Sequence, residues 1–149
     1  MLVHNLTQAE CREVLARVSH GRLACVSGRQ PYIVPVALYL DPDEDFVYGF
    51  STVGRKVRWM RANPRVCIQV EEIVSRTQWT SVVAFGRYQE IPREGGVGAA
   101  LRRRAGELLG KQVQWWLPAA AKLVESDEHG ASVLYRIRIR RMTGRRAQK

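Results

Sequence analysis

Gly49-Phe50-Ser51-Thr52-Val53-Gly54-Arg55-Lys56-Val57-Arg58-Trp59-Met60-Arg61-Ala62-Asn63-Pro64-Arg65-Val66 is the stretch on which the fold turns. It reads as the end of a strand, a small-residue turn, a basic pair, a short helix over Arg55–Ala62, and an Asn-Pro stop that launches a new strand. Ser51, Thr52, Arg55 and Lys56 fall together where the chain turns. Two hydroxyls, two cations and the N–H groups of a helix start make a phosphate site. Two plainer readings stand beside it. Arg55 and Lys56 are solvated charges at a helix start, or Ser51 and Thr52 only cap the helix.

Upstream, Thr7-Gln8-Ala9-Glu10 is a capping-box pattern, with Leu6 and Cys11 in hydrophobic-staple positions. Cys11, Val14, Leu15 and Val18 keep helical spacing, and Gly21 is the expected helix stop, with His20 at the helix end. Strands follow at Arg22–Ser27, Tyr32–Leu40 and Phe46–Phe50, separated by Ser27-Gly28-Arg29-Gln30 and Asp41-Pro42-Asp43-Glu44-Asp45. Pro35 donates no ladder hydrogen bond, so its strand is expected at an edge or a bulge.

Downstream, Val66, Ile68 and Val70 alternate with Cys67, Gln69 and Glu71, which places Gln69 on the exposed side. Ser81–Ile91 is a long strand with Gly86 at an expected bulge. Val97–Leu109 favours helix, with Arg102, Arg103 and Arg104 spread around it. Val113–Leu117 is ambiguous, Trp115-Trp116 reads as packing or as one ring at an interface, and Pro118–Val124 as a further short helix. In Val133–Met142, Val133, Tyr135, Ile137 and Ile139 face one way and Arg136, Arg138 and Arg140 the other; Gly144–Lys149 reads as a loose basic tail. About six strands, mostly in hairpins, predict a mainly β fold with peripheral helices: a small antiparallel barrel rather than a doubly wound sheet.

The chain has 149 residues, 46% of them hydrophobic, which suits one globular domain with a real core. No apolar run reaches membrane-span length. Met1-Leu2-Val3-His4-Asn5 lacks the start of a signal peptide, so the expected location is the cytoplasm. Cys11, Cys25 and Cys67 stand singly in apolar patterns and are expected as buried thiols; neither they nor His4, His20 and His129 have zinc spacing. The net charge of +10 points to anionic partners. An arginine face without interleaved aromatics reads as a solvated barrel exterior, against a nucleic-acid surface.

The order Gly21-Arg22-Leu23-Ala24, Pro31-Tyr32-Ile33-Val34-Pro35-Val36, Arg55-Lys56, Ala62-Asn63-Pro64-Arg65-Val66, Trp79-Thr80-Ser81-Val82-Val83, Phe85-Gly86 and a last strand into Thr143-Gly144 resembles the flavin-binding split-barrel proteins related to pyridoxamine 5′-phosphate oxidase, in the branch of the nitroimidazole-resistance proteins. The resemblance implies a six-stranded antiparallel split barrel that dimerises, with FMN in a groove at the dimer interface. It implies that Ser51, Thr52, Arg55 and Lys56 hold the FMN phosphate, that Pro35, Val36, Ala37 and Leu38 run along the isoalloxazine, and that Trp79 and Ser81 approach it. Trp79 is otherwise a core aromatic, and Ser81 is open in the same way. The activity implied is an oxidoreductase passing electrons from a small-molecule donor, such as a reduced nicotinamide, to a small acceptor. A deazaflavin on the same barrel, or a non-catalytic flavin- or nucleic-acid-binding protein, are the alternatives. The C-terminal Thr143-Gly144-Arg145-Arg146-Ala147-Gln148-Lys149 departs from the substrate-binding end of vitamin B6 oxidases, and no histidine is placed as in the haem-handling relatives.

Overall fold

The structure is a computed structural model and describes residues 1–110 and 132–149. Trp115, Trp116, His129 and the expected elements at 113–117 and 118–124 lie outside the described residues. The elements run β1 (Leu2–Asn5), α1 (Gln8–Arg17), β2 (His20–Ser27), β3 (Gln30–Ala37), β4 (Tyr39–Leu40), β5 (Phe46–Thr52), α2 (Arg55–Ala62), β6 (Arg65–Ser75), β7 (Gln78–Glu90), α3 (Gly96–Gly110) and β8 (Ser132–Gln148). One antiparallel sheet joins the strands in the order β3-β2-β6-β7-β8-β5-β4, and β1 adds to the far half of β8. The two ends of that order, β3 and β4, are separated in the chain by Leu38 alone. The sheet must therefore curl until its edges approach, without hydrogen bonds closing the seam: a split barrel. Five of these strands match strands expected from the sequence, and the expected strand Tyr32–Leu40 is broken at Leu38 into β3 and β4; β1 is a short addition. No helix among the described residues is long and apolar enough to cross a membrane.

The local chemistry explains the elements. The Thr7 N–H donates to Glu10 Oε2 at 2.8 Å and the Glu10 N–H to Thr7 Oγ1 at 3.2 Å, the reciprocal capping box that starts α1. These bonds to Thr7 hold the Glu10 carboxyl below the usual range. Cys11, Val14 and Leu15 then enter the barrel interior. There they meet Leu23 and Cys25 of β2, Ile68 and Val70 of β6, and Tyr135 and Ile137 of β8. A second cluster packs Ala105, Leu108 and Leu109 of α3 on Tyr39 and Tyr48 outside the barrel. Pro35 sits on the edge strand β3, where a missing donor is tolerated. All three cysteines are free; Cys11 and Cys25 are buried, Cys67 is half-buried, and burial raises each thiol's pKa.

Three expectations change. Gly21 does not stop α1, which ends at Arg17 before an extended Val18; Gly21 lies in β2, as does His20. Its small size serves packing, since a Cβ there would stand 2.6 Å from the Gln69 carbonyl oxygen on β6. The 144–149 tail is not loose: β8 continues to Gln148, paired with β1 and β7, and Ala147 is fully buried. Tail residues lack an apolar alternation, but two neighbouring strands satisfy their backbone.

Gly86 marks a register shift between β7 and β8, where Phe85 pairs with Arg141 and Gly86 with Ile139. Arg140 is the extra residue of this bulge. A Cβ at Gly86 would stand 2.5 Å from the Arg138 carbonyl oxygen and 2.6 Å from Ile137 Cγ2. Backbone on a paired strand cannot withdraw cheaply. Gly86→Ala is expected to destabilise the fold by about 2 kcal/mol, seen as a Tm roughly 6 °C lower in a thermal melt. An unchanged Tm would show that the two strands slide apart without cost.

Candidate functional site

The β5–α2 junction is built from the quoted stretch. Ser51 is buried on β5 and its hydroxyl donates to the Thr52 carbonyl at 2.9 Å. Thr52, half-buried, is the last residue of the strand and pairs with Ser132. Neither caps the helix. The N-cap is Gly54, which has no side chain to accept from the first N–H groups of α2. The expectation that Ser51 and Thr52 lie in the turn is therefore corrected: they end the strand, and Val53-Gly54 makes the turn.

The first turn of α2 holds Arg55 and Lys56 and no acidic residue. This is the wrong charge for the positive end of a helix dipole unless an anion sits there. Arg55 is exposed, with its guanidinium carbon 5.5 Å from the Tyr32 ring centroid. Tyr32 in turn lies 5.5 Å from the ring of Trp59. Lys56 is half-buried beside Cys25, and among the described residues no carboxylate pairs with it. Burial lowers its pKa below the usual lysine value of 10.5, and the neighbouring Cys25 works in the opposite direction without overcoming it. A half-buried ammonium without a carboxylate, next to uncapped helix N–H groups, fits an incoming phosphate. Cys25 and Tyr32 face each other across β2 and β3, so the floor of this corner is made by strands distant from α2 in sequence.

Of the residues expected along the flavin ring, Pro35 is exposed and Val36, Ala37 and Leu38 are buried. The Leu38 N–H donates to the Ser19 carbonyl at 3.1 Å, which fixes the break between β3 and β4. These four residues therefore offer mainly backbone and the Pro35 ring to a neighbour.

Trp79 and Ser81 lie elsewhere. They are half-buried on β7, alternate with core-facing Thr80 and Val82, and thus project from the outer face of the sheet. This settles the open reading of Trp79 against the core. Both line a hollow of about 770 Å³ with Asn5, Leu6, Gln8 and Val83, closed on its far side by Met142 to Arg145 of β8. Ser81 stands between Glu71 and Arg145 on the flanking strands. Gln69, expected exposed, is half-buried here: its amide donates to Glu71 at 3.0 Å and approaches Ser81 Oγ at 3.5 Å, while Arg22 donates to its carbonyl oxygen at 3.1 Å. The row Pro35–Arg22–Gln69–Val83–Thr143 runs across five strands and joins the edge strand β3 to this hollow.

One chain thus gathers the expected residues into two groups. The corner at the start of α2 packs Met60 into the barrel core, and Trp79 with Ser81 faces outward. Sequence reasoning missed Tyr32, Cys25 and Gln69 as neighbours of these groups. Only the β2–β3 and β6–β7 registers bring them there. Among the described residues, no three metal-binding side chains stand together.

A sequence profile described as pyridoxamine 5′-phosphate oxidase matches residues 7–146. An uncharacterized protein of Rhizobium meliloti is 40% identical over 149 residues, covering 99% of this chain and 97% of its own. A FAD-binding protein from Mesorhizobium loti, of known crystal structure, is 38% identical and superposes with a TM-score of 0.76, covering 99% of this chain and all of its own. A proposed 5-nitroimidazole antibiotic resistance protein from Bacteroides thetaiotaomicron shares the fold, with a TM-score of 0.65 at 15% identity over the whole of this chain and 93% of its own. A match that spans all but the ends of the chain, on a barrel split between β3 and β4, makes this protein a member of the pyridoxamine 5′-phosphate oxidase family.

Proposed function

We propose that this protein is a flavin-binding oxidoreductase that takes FMN and works as a homodimer. The observation that carries the reading is Lys56: half-buried, without a carboxylate partner among the described residues, at the uncapped start of α2. A bound flavin supplies the redox chemistry, exchanging electrons between a small-molecule donor and a small acceptor. The chain's own part is binding and placement. Lys56 contributes a point charge and Arg55 a fork to a phosphate dianion. Arg55, on the Tyr32 face, is free to turn toward that anion. Pro35 to Leu38 present an edge strand to a flat ring, and Trp79 shields one side of a hollow with room for a small acceptor.

The split between the two groups is what supports the homodimer. A ring anchored at the phosphate corner of one protomer needs a wall on its open side, and the outer face around Trp79 and Ser81 of a second copy can provide it.

The test is an absorption spectrum of the purified protein, with released cofactor identified by mass and the assembly sized by light scattering. The expected result is one FMN per chain in a dimer. Released FAD, for which the Mesorhizobium relative is named, would keep the flavin reading and change the cofactor. A protein that takes up neither added FMN nor FAD would overturn the reading and favour a deazaflavin.

A further inference from the structure

The outer face carries a second cationic feature, away from Lys56. Arg65, Arg87 and Arg138 stand directly opposite one another on β6, β7 and β8. Like charges in cross-strand register destabilise a sheet. Beside this row the bulge at Gly86 inserts Arg140, and Arg141 places its guanidinium carbon 4.7 Å from the centroid of the Phe85 ring. All five arginines are exposed, and among the described residues none of them reaches a carboxylate. Some arginines elsewhere on the sheet and helices are paired, as Arg17 is with Glu72 and Arg61 with Glu90. Arg65, Arg87 and Arg140 enclose a hollow of about 450 Å³ floored by Phe85 and Gly86.

We infer that this hollow is a binding site for a small molecule bearing two or more linked phosphates. A row across three strands spans roughly 10 Å, the reach of a compact polyphosphate. Guanidinium forks suit its oxygens. The concave, bounded shape favours a small ligand over a nucleic-acid strand. So does the aromatic content: among the described residues Phe85 is the one ring lining the hollow, and Arg141 already lies against it, so there is no run of open platforms for successive bases. The cost of holding unpaired arginines in register is offset when the anion binds. This site shares no residue with the proposed flavin corner.

The experiment is calorimetric titration of the purified full chain, at low salt, with inorganic tripolyphosphate and separately with orthophosphate. Saturable binding of one tripolyphosphate per chain is expected, at least tenfold tighter than orthophosphate. Arg87→Gln with Arg138→Gln should weaken it tenfold or more without lowering the Tm. Arg103→Gln on the exposed side of α3 should leave it intact, as should Lys56→Met, which separates this site from the flavin corner. Absence of saturable binding, or unchanged affinity in the double variant, would overturn the inference. So would a single-stranded oligonucleotide that binds through the same arginines and that tripolyphosphate does not displace.

Discussion

Changing Arg55 and Lys56 together to alanine is expected to weaken flavin binding tenfold or more while the barrel stays folded. Each charge-assisted contact to a phosphate is worth about 1.5 kcal/mol or more, so losing two exceeds one decade in affinity. The fold should survive because neither side chain pairs with a carboxylate among the described residues, and Val57 and Met60 still anchor α2. Lys56→Met gives a sharper signature. It removes a half-buried charge that burial disfavours, so the flavin-free protein should gain about 1 kcal/mol while flavin affinity falls. The pH dependence has opposite signs for the two properties. The folded pKa of Lys56 lies below the unfolded 10.5, so between those values the unfolded chain holds the extra proton. Stability contributed by this residue therefore rises with pH across that window, whereas phosphate binding falls as the ammonium is lost. Fluorescence titration of flavin against pH, in wild type and Lys56→Met, reads the affinity, and thermal melts of the flavin-free proteins over the same pH range read the stability. Equal affinities in the two proteins, or a double alanine variant that binds flavin normally, would remove the phosphate from this corner.

Much of this site was legible because its signals are local. Asn63-Pro64 set the end of α2, and Arg55 begins it as expected. The alternation of Val66, Ile68 and Val70 reports a strand with one face in the core, and the capping box of Thr7 and Glu10 reports a helix start. Pro35 was readable as an edge position because the missing N–H is a property of the residue itself. What escaped depends on register between distant segments. Gly21 looked like a helix stop, since the carbonyl of Gln69 that forbids a side chain there comes from another strand. The 144–149 tail looked loose because its order comes from pairing with the opposite end of the chain. The arginine stripe of β8 was visible in sequence, but its continuation through Arg87 to Arg65 was not. The same logic governs the candidate site: the basic pair announces itself, whereas Tyr32, Cys25 and Gln69 become neighbours only after the barrel curls.

Asp41→Asn is expected to cost about 2 kcal/mol and Arg104→Ala a larger amount, an asymmetry that follows from which partner is buried. Asp41 is 2% exposed, at the turn between β4 and β5. Its carboxylate accepts two bonds from Arg104, at 2.7 and 3.0 Å, and one from the Asp43 N–H at 2.9 Å. Its carbonyl accepts from Arg12 of α1 at 3.0 Å. One residue thus ties α3 and α1 to the strand that leads to Ser51 and Thr52. Asparagine keeps the shape and some of the acceptors. Removing Arg104 instead leaves a buried carboxylate with only backbone donors, a costlier state. The Arg104 guanidinium holds the Asp41 carboxyl below its usual 3.8. The stabilisation is therefore fully present above that value and is lost as pH falls through the depressed folded pKa. Melts at neutral and acid pH should show wild type and Asp41→Asn converging in acid, because both then carry an uncharged side chain at this position. In Arg104→Ala the carboxyl loses its cation and its pKa rises, so acid should narrow that deficit from a higher starting pH. If both variants melt with wild type at neutral pH, the contact is a surface pairing of no consequence, and α3 is held on β4 and β5 by its apolar face of Ala105, Leu108 and Leu109.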